Sequence, residues 1–301
     1  MIQYPPPDPN LAHLARKNLI YLVSPGQAGL RLDKFTAQAS GLSRGMIRAL
    51  IDFGSVWVGG RVCRKQSQIL EAGDRVTLQA PEYGPVKFYE ADSSRILYED
   101  EWLLAYDKEA GLPCQQTPYD GYNNLFAALG RQRSGRYLAL HHRLDGPTSG
   151  VMVFALRKEV NQGLARLFSR GPLEKTYLAL VHGVPAEDSF EVDLPIAKAE
   201  GAYHCPPDGR GKEARTLFTV LEKGPDHALV RARPLTGRTH QIRLHLAAAG
   251  YPVLGDPAYG GPPALRLMLH ALSLSFPHPC TGRPLTIAAR LPEEFSPVDL
   301  K

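Results

Sequence analysis

The chain has little cysteine: four residues in 301, Cys63, Cys114, Cys205 and Cys280, far apart and never as C-x-x-C. That excludes a zinc ribbon and a disulfide framework, and it suits a reducing cytosol. Long hydrophobic runs are missing too. No apolar stretch approaches the roughly 18 residues that cross a bilayer, and the start, MIQYPPPDPN, lacks the charged and apolar regions of a signal peptide. A soluble, cytoplasmic protein with no membrane partner is expected. No G-x-G-x-x-G follows a strand-like run and no G-x-x-x-x-G-K-[ST] occurs, so dinucleotide and P-loop chemistry lack support. Histidine offers no zinc spacing: His141 and His142 are adjacent, and His240 and His245 are five apart, one too many for a shared helical face. Hydrogen-bonded structural histidines are the expectation there. Internal repeats and low-complexity tracts are also absent.

What is present is ordinary globular composition, 44% hydrophobic and 22% charged, in a chain long enough for about two domains. The net charge is +5, and the isoelectric point is near 9.0. The excess is local. Between Gly29 and Ala80 stand Arg31, Lys34, Arg44, Arg48, Arg61, Arg64, Lys65 and Arg75 against Asp33, Asp52, Glu71 and Asp74, a balance of +4. Such an excess fits a footprint for a phosphate backbone, and on charge alone it fits a solvated basic face equally well.

The same stretch has a pattern. Leu32, Phe35 and Ala39 fall at helical spacing. Ser43 is a plausible N-cap for a second helix with Met46, Ile47, Leu50 and Ile51 as its apolar face, ended by Gly54. Arg44 and Arg48 share the opposite face. Val56 and Val58 alternate, Gly59-Gly60 turns the chain, and Asp74 to Leu78 reads as another strand. RLDKF, LSRGMIRALIDFGSVWVGG and GD-x-V together resemble the S4-type RNA-binding domain. The resemblance implies RNA contacts from Arg31, Lys34, Arg44, Arg48, Arg61, Arg64 and Lys65. The expected organisation is an N-terminal extension (1–28), this small α/β domain (29–80), a linker (81–94) and a larger domain (95–301).

From Arg95 onward, short apolar and β-branched runs dominate, with helical patterns only at about 158–169 and 239–249. Many strands with few helices predict an α+β fold around a mixed, mainly antiparallel sheet. Two polar clusters interrupt the pattern. His141-His142-Arg143-Leu144-Asp145-Gly146 lies between two strand-like runs, where polar groups can face a cleft while the sheet fixes them. It also reads as a plain turn, with Asp145 accepting main-chain N–H groups and Arg143 paired to a nearby acid. The second cluster, Leu235 to His245, opens a helix with Thr239 as a natural N-cap. Arg238 and Arg243 bring fixed positive charge to that end, or are simply surface arginines on an amphipathic helix.

Six ordered blocks decide between these readings. HRLDGPTSG with VMVFA, KTYLALVHG, GKEARTLF, LTGRTHQIRLH, GYPVLGDPAYG and LMLHALSLSFPHP resemble the RluA-type pseudouridine synthases in order and spacing, from about Arg95 to the C-terminus. One block departs: the family's Lys-Pro-x-Gly reads Lys108-Glu109-Ala110-Gly111 here, which puts the shape of that loop in doubt. The resemblance implies the pseudouridine synthase fold and isomerisation of a uridine in RNA. The N1–C1′ bond breaks, the uracil turns, and C5 bonds to C1′, with no cofactor and no metal. It also implies that Asp145 is the essential carboxylate, as nucleophile or as base at C2′, and that Arg243 is its partner. Tyr177 is then the ring stacked on the base, Leu269 an aliphatic wall, and Arg143 the side chain that fills the space of the flipped nucleotide, with Arg238 a further substrate contact. The implied partner is RNA, large-subunit ribosomal RNA before transfer RNA, bound by a monomer. A non-catalytic RNA-binding protein would not need Asp145. A hydrolase using it would release free uracil, whereas isomerisation leaves the RNA mass unchanged.

Overall fold

The computed structural model describes residues 1–11, 13–14 and 17–295. The chain forms two compact units: residues 3–91 with 113–134, and residues 1–2 with 92–112 and 135 onward.

The first unit contains β1 (Leu19–Leu22), α1 (Leu32–Ser40), α2 (Arg44–Phe53), β2 (Val56–Val58), β3 (Arg61–Val62), β4 (Arg75–Leu78) and α3 (Leu125–Gln132). Its four strands pair antiparallel in the order β1-β4-β2-β3, so residues ahead of Gly29 supply an edge strand. Ser43 caps α2 as expected, its hydroxyl accepting the Met46 N–H at 3.2 Å. Gly54 ends that helix at φ 92°, and it also leaves room for Arg64, whose guanidinium stands 2.8 Å from where a Cβ would project. Leu32, Phe35, Ile47, Leu50, Ile51, Val56, Val76 and Leu78 form the core. The segment at 113–134 is tied in by polar contacts: Ser55 Oγ donates to Tyr119 O, and Asn123 Oδ1 accepts the N–H groups of Phe88 and Tyr89.

One acid organises the basic face. Asp33 is fully buried, and Arg31, Arg44 and Arg48 converge on its carboxylate at 3.1, 2.9 and 3.0 Å. Burial pushes this carboxyl up, but hydrogen bonds from Arg31, Arg48 and Arg44 outweigh it and hold Asp33 well below the ordinary carboxylate range. A depressed folded-state value stabilises the fold above the unfolded value, and that contribution is lost as pH falls. We therefore expect this unit to loosen below about pH 4. Asp33→Asn should lower stability at neutral pH by about 3 kcal/mol, the low end for breaking a buried ion pair, since the arginines keep access to water. Acid titration followed by circular dichroism checks this. Equal stability and the same acid midpoint in both proteins would remove Asp33 as the anchor.

The second unit contains β5 (Ile96–Glu99), β6 (Leu103–Lys108), β7 (Ala139–Leu140), β8 (Ser149–Ala155), α4 (Asn161–Arg170), β9 (Glu174–His182), β10 (Ser189–Asp193), β11 (Ala197–Ala199) and β12 (Ala202–His204). It continues with β13 (Arg215–Lys223), β14 (His227–Pro234), α5 (Gln241–Ala248), β15 (Leu269–Pro277) and β16 (Pro284–Ala288). The main sheet runs β10-β13-β14-β9-β15-β8-β6-β5, with β16 on β15 and β7 on β8. All its pairs are antiparallel except β15 with β8. This is the mixed, mainly antiparallel α+β fold that the strand-rich pattern predicts. At the parallel pair Gly150, at φ 114°, would place a Cβ only 2.1 Å from Ala271 O, so the crossing tolerates no side chain. Two apolar cores, around Leu180, Val230 and Leu246 and around Val153, Leu164 and Phe276, hold the sheet.

The expected N-cap of α5 is corrected. The cap is His240, not Thr239, in the left-handed region at φ 58°, ψ 17°. Gln241, the first residue of α5, ties down the loop before the helix: its Oε1 accepts the Arg238 N–H at 3.0 Å and the Thr236 hydroxyl at 2.7 Å.

Candidate active site

Asp145 sits in the loop between β7 and β8, and that loop is held from below by a buried lysine. The Lys108 ammonium, fully buried at the end of β6, donates to the carbonyls of Glu109, Leu112 and Gly146 at 2.9, 2.8 and 3.0 Å. Gly111 adds its N–H to Gly146 O at 3.0 Å. The residue that replaces the expected proline, Glu109, pairs with Arg95 at 3.2 Å. A rigid ring is thus exchanged for an ion pair, and Lys108 closes the loop regardless.

Arg243, on the first turn of α5, reaches the carboxylate: its Nη1 lies 3.3 Å from Asp145 Oδ2. Its other nitrogens are committed elsewhere. Nε and Nη2 clamp the two oxygens of Asp256, both at 2.7 Å, and the guanidinium lies 4.9 Å from the Tyr259 ring centre. Asp256 is 1% exposed and Arg243 8%, so this is a buried fork-on-fork pair that aims one remaining nitrogen at Asp145, itself 26% exposed. Burial disfavours the charged guanidinium, but hydrogen bonding to Asp256 and the charges of Asp256 and Asp145 more than offset it. Arg243 stays charged.

The other Asp145 oxygen faces His240, whose Nε2 is 3.7 Å from Oδ1. His240 Nδ1 is 2.6 Å from Tyr259 Oη, and the Tyr203 and Tyr259 rings meet the imidazole edge-on, each at 5.6 Å.

Tyr177 is half-buried in the middle of β9, and its cross-strand partners are Ala232 on β14 and Ala271 on β15. Two alanines leave lateral room beside the ring. Leu269, buried, opens β15 in the same core cluster that Tyr177 packs against. Arg143 is exposed two residues before Asp145, and Arg238 is exposed with its Nε donating to Glu213 O at 2.8 Å. The fold therefore brings Asp145 and Arg243 into direct contact, and it puts Tyr177 and Leu269 on adjacent strands. Arg31, Lys34, Arg44, Arg48, Arg61, Arg64 and Lys65 belong to the other compact unit. All of those but Arg31 are exposed, though Arg44 and Arg48 are held on Asp33 and Arg64 donates to Asp52 O and to Gly121 O.

The histidines are hydrogen-bonded. Burial drives His142 down to about 3, so its neutral Nε2 accepts the Val153 N–H at 2.9 Å while the ring stacks on Phe168. His245 bridges Thr216 Oγ1 and Leu194 O, and His141 meets Asn161. Sequence reasoning missed Lys108, Asp256, Tyr259 and the placement of His240 beside Asp145. GYPVLGDPAYG carried two of them, but nothing local says that its Asp and Tyr reach α5. Lys175 was missed as well. It shares a strand face with Tyr177, and its ammonium lies 3.3 Å from where a Cβ on Gly237 would sit. Burial, then the charge of Arg238, pushes this ammonium down.

Comparison with known proteins gives a consistent result. A sequence model described as RNA pseudouridylate synthase matches residues 102–248, and one described as S4 domain matches residues 30–76. An uncharacterized RNA pseudouridine synthase of Synechocystis is 34% identical over 295 residues, covering 91% of this chain and 89% of that protein. Ribosomal large subunit pseudouridine synthase C of Escherichia coli is 31% identical over 303 residues, covering 91% and 93%. Among solved structures, human RNA pseudouridylate synthase domain containing 1 superposes with a TM-score of 0.57 at 28% identity, over 70% of this chain and 89% of that one.

Proposed function

Because the chain belongs to the RNA pseudouridine synthase family, with an S4 domain ahead of the catalytic one, we propose that it isomerises uridine in large-subunit ribosomal RNA and that Asp145 is the reacting carboxylate. The observation that carries this is the Asp145–Arg243 pair at 3.3 Å, backed by the Asp256 clamp. A cation that is itself fixed orients the carboxylate without enclosing it. One ionised oxygen serves both routes, attack on the sugar or removal of the C2′ proton. In either, the base is freed at N1, turns, and rejoins through C5; the C5 proton leaves and N1 gains one. Tyr177 supports the freed uracil, since an aromatic face holds a ring without locking its rotation. Leu269 backs it from the next strand, and Arg143 occupies the space that the extruded nucleotide leaves. Arg238, with Lys175 beside it, meets the RNA backbone. The S4 domain supplies affinity, and the enzyme acts as a cytosolic monomer without a cofactor or metal. Large-subunit ribosomal RNA is favoured over transfer RNA by the named function of the Escherichia coli relative.

The test is to map pseudouridines in cellular RNA with and without the gene, then to restore the missing sites with purified protein. Loss of a site in the large-subunit RNA supports the reading. Loss only in transfer RNA redirects it, and release of free uracil would replace isomerisation by hydrolysis. The S4 contribution is tested separately. Lys34, Arg61 and Lys65 have no ion-pair partner among the described residues, so changing all three to alanine removes charge without opening the Asp33 cluster. The slope of log affinity against log salt should flatten by about 2 to 3, at 0.7 to 0.9 per phosphate contact. An unchanged slope would make that face merely solvated.

A further inference from the structure

We propose that His240 is a second hydrogen-bond donor to the reacting carboxylate, with Nδ1 accepting from Tyr259, so that Nε2–H holds Asp145 Oδ1 while Arg243 holds Oδ2. The inference rests on Asp145 being the reacting group.

Three observations carry it. The first is backbone geometry. His240 lies at φ 58°, ψ 17°, in the left-handed region that non-glycine residues enter at a cost. Such strain concentrates where a side chain must be aimed. As the residue before α5, His240 could have capped the helix, yet its side chain makes no cap hydrogen bond. It points instead at Tyr259 and Asp145.

The second is the tautomer. The phenol retains its proton, since partial burial pushes Tyr259 up from its ordinary value. A protonated phenol can donate to Nδ1 or accept from it across the 2.6 Å contact, and the carboxylate 3.7 Å from Nε2 selects donation. An imidazole that accepts at Nδ1 carries its proton at Nε2, the nitrogen nearest Asp145. The opposite tautomer would turn a lone pair on the carboxylate.

The third is the charge of the surroundings. The ionisable groups around His240 are Asp145 and Asp256, Arg243, and the phenols Tyr203 and Tyr259. Burial lowers His240 and the Arg243 charge adds to that, against the opposing pull of the two aspartates. The ring is thus a neutral donor. It orients the carboxylate without a second full charge that would blunt its reactivity. The 3.7 Å separation is long for a hydrogen bond, as such contacts often are before substrate closes the site.

His240 is accordingly a positioning residue, and its variants separate that role from a structural one. His240→Asn keeps a residue type that tolerates the left-handed region while removing the ring. Single-turnover conversion at saturating ribosomal RNA should slow about 100-fold, with RNA affinity within twofold of wild type and thermal stability little changed. His240→Gln, which can return an N–H near the Nε2 position, should recover to within about tenfold of wild type. Tyr259→Phe should slow turnover about tenfold, and adding it to His240→Asn should cost nothing more, because both act through one hydrogen bond. Wild-type turnover in His240→Asn, or independent, multiplying losses in the double variant, would overturn the proposal. Failure of the underlying reading looks different: wild-type enzyme would form no pseudouridine, or Asp145→Asn would remain active.

Discussion

Replacing Asp145 by asparagine should leave a folded, RNA-binding protein whose pseudouridine formation falls at least about 1,000-fold. The amide keeps the shape of the carboxyl but removes the anionic oxygen, which is the group both routes require. Folding survives for a reason visible in the site. Arg243 already has a full counter-charge in Asp256, through two contacts at 2.7 Å, so losing the 3.3 Å contact to Asp145 leaves no unpaired buried cation. Asp145 is also 26% exposed, so water can serve the new amide. Melting should therefore shift by no more than about 2 °C. Binding to ribosomal RNA and single-turnover conversion are measured on the same preparation. Turnover within tenfold of wild type would end the assignment of Asp145.

Asp256→Asn should have the converse signature, a large effect on both stability and rate. Asp256 is 1% exposed and neutralises an arginine that is 8% exposed. Losing that charge strips a buried ion pair of one partner, at about 3 kcal/mol, or roughly 6 to 12 °C in melting temperature. The rate falls for a different reason. Arg243, released from its clamp, can swing to meet Asp145 with two nitrogens instead of one, drawing the carboxylate into a tight pair and away from substrate. A loss of about 100-fold in kcat is expected, with RNA affinity preserved. Arg243→Lys should share the defect, since an ammonium cannot fork. If Asp256→Asn melts and turns over like wild type, the clamp has no part in holding the site.

Much of the protein is written locally. The spacing of Met46, Ile47, Leu50 and Ile51, with Ser43 before and Gly54 after, determines α2 and both its ends. Alternating and β-branched runs determine most of the strands, and their abundance over helices determines the class of sheet. The polar clusters at 141–146 and 235–245 are legible because they interrupt apolar patterns, and the resemblance of the ordered blocks then singles out Asp145 and Arg243 within them.

What joins them is not local. Asp145 and Arg243 are 98 residues apart, and their contact depends on the loop after β7 and the start of α5 being fixed to one sheet. No periodicity encodes that distance. The same holds for Asp256, whose role exists only because its short turn packs beside α5, and for His240, whose left-handed backbone is the reverse of what a helix-capping pattern suggests. Charge counting met the same limit in the S4 domain. Asp33 entered the balance as one acid among four, whereas in the fold it is buried and gathers Arg31, Arg44 and Arg48 on itself. Sequence determines which groups are charged and which elements carry them. Only tertiary structure decides which charges meet, because an ion pair needs ångström-scale register between elements far apart in the chain.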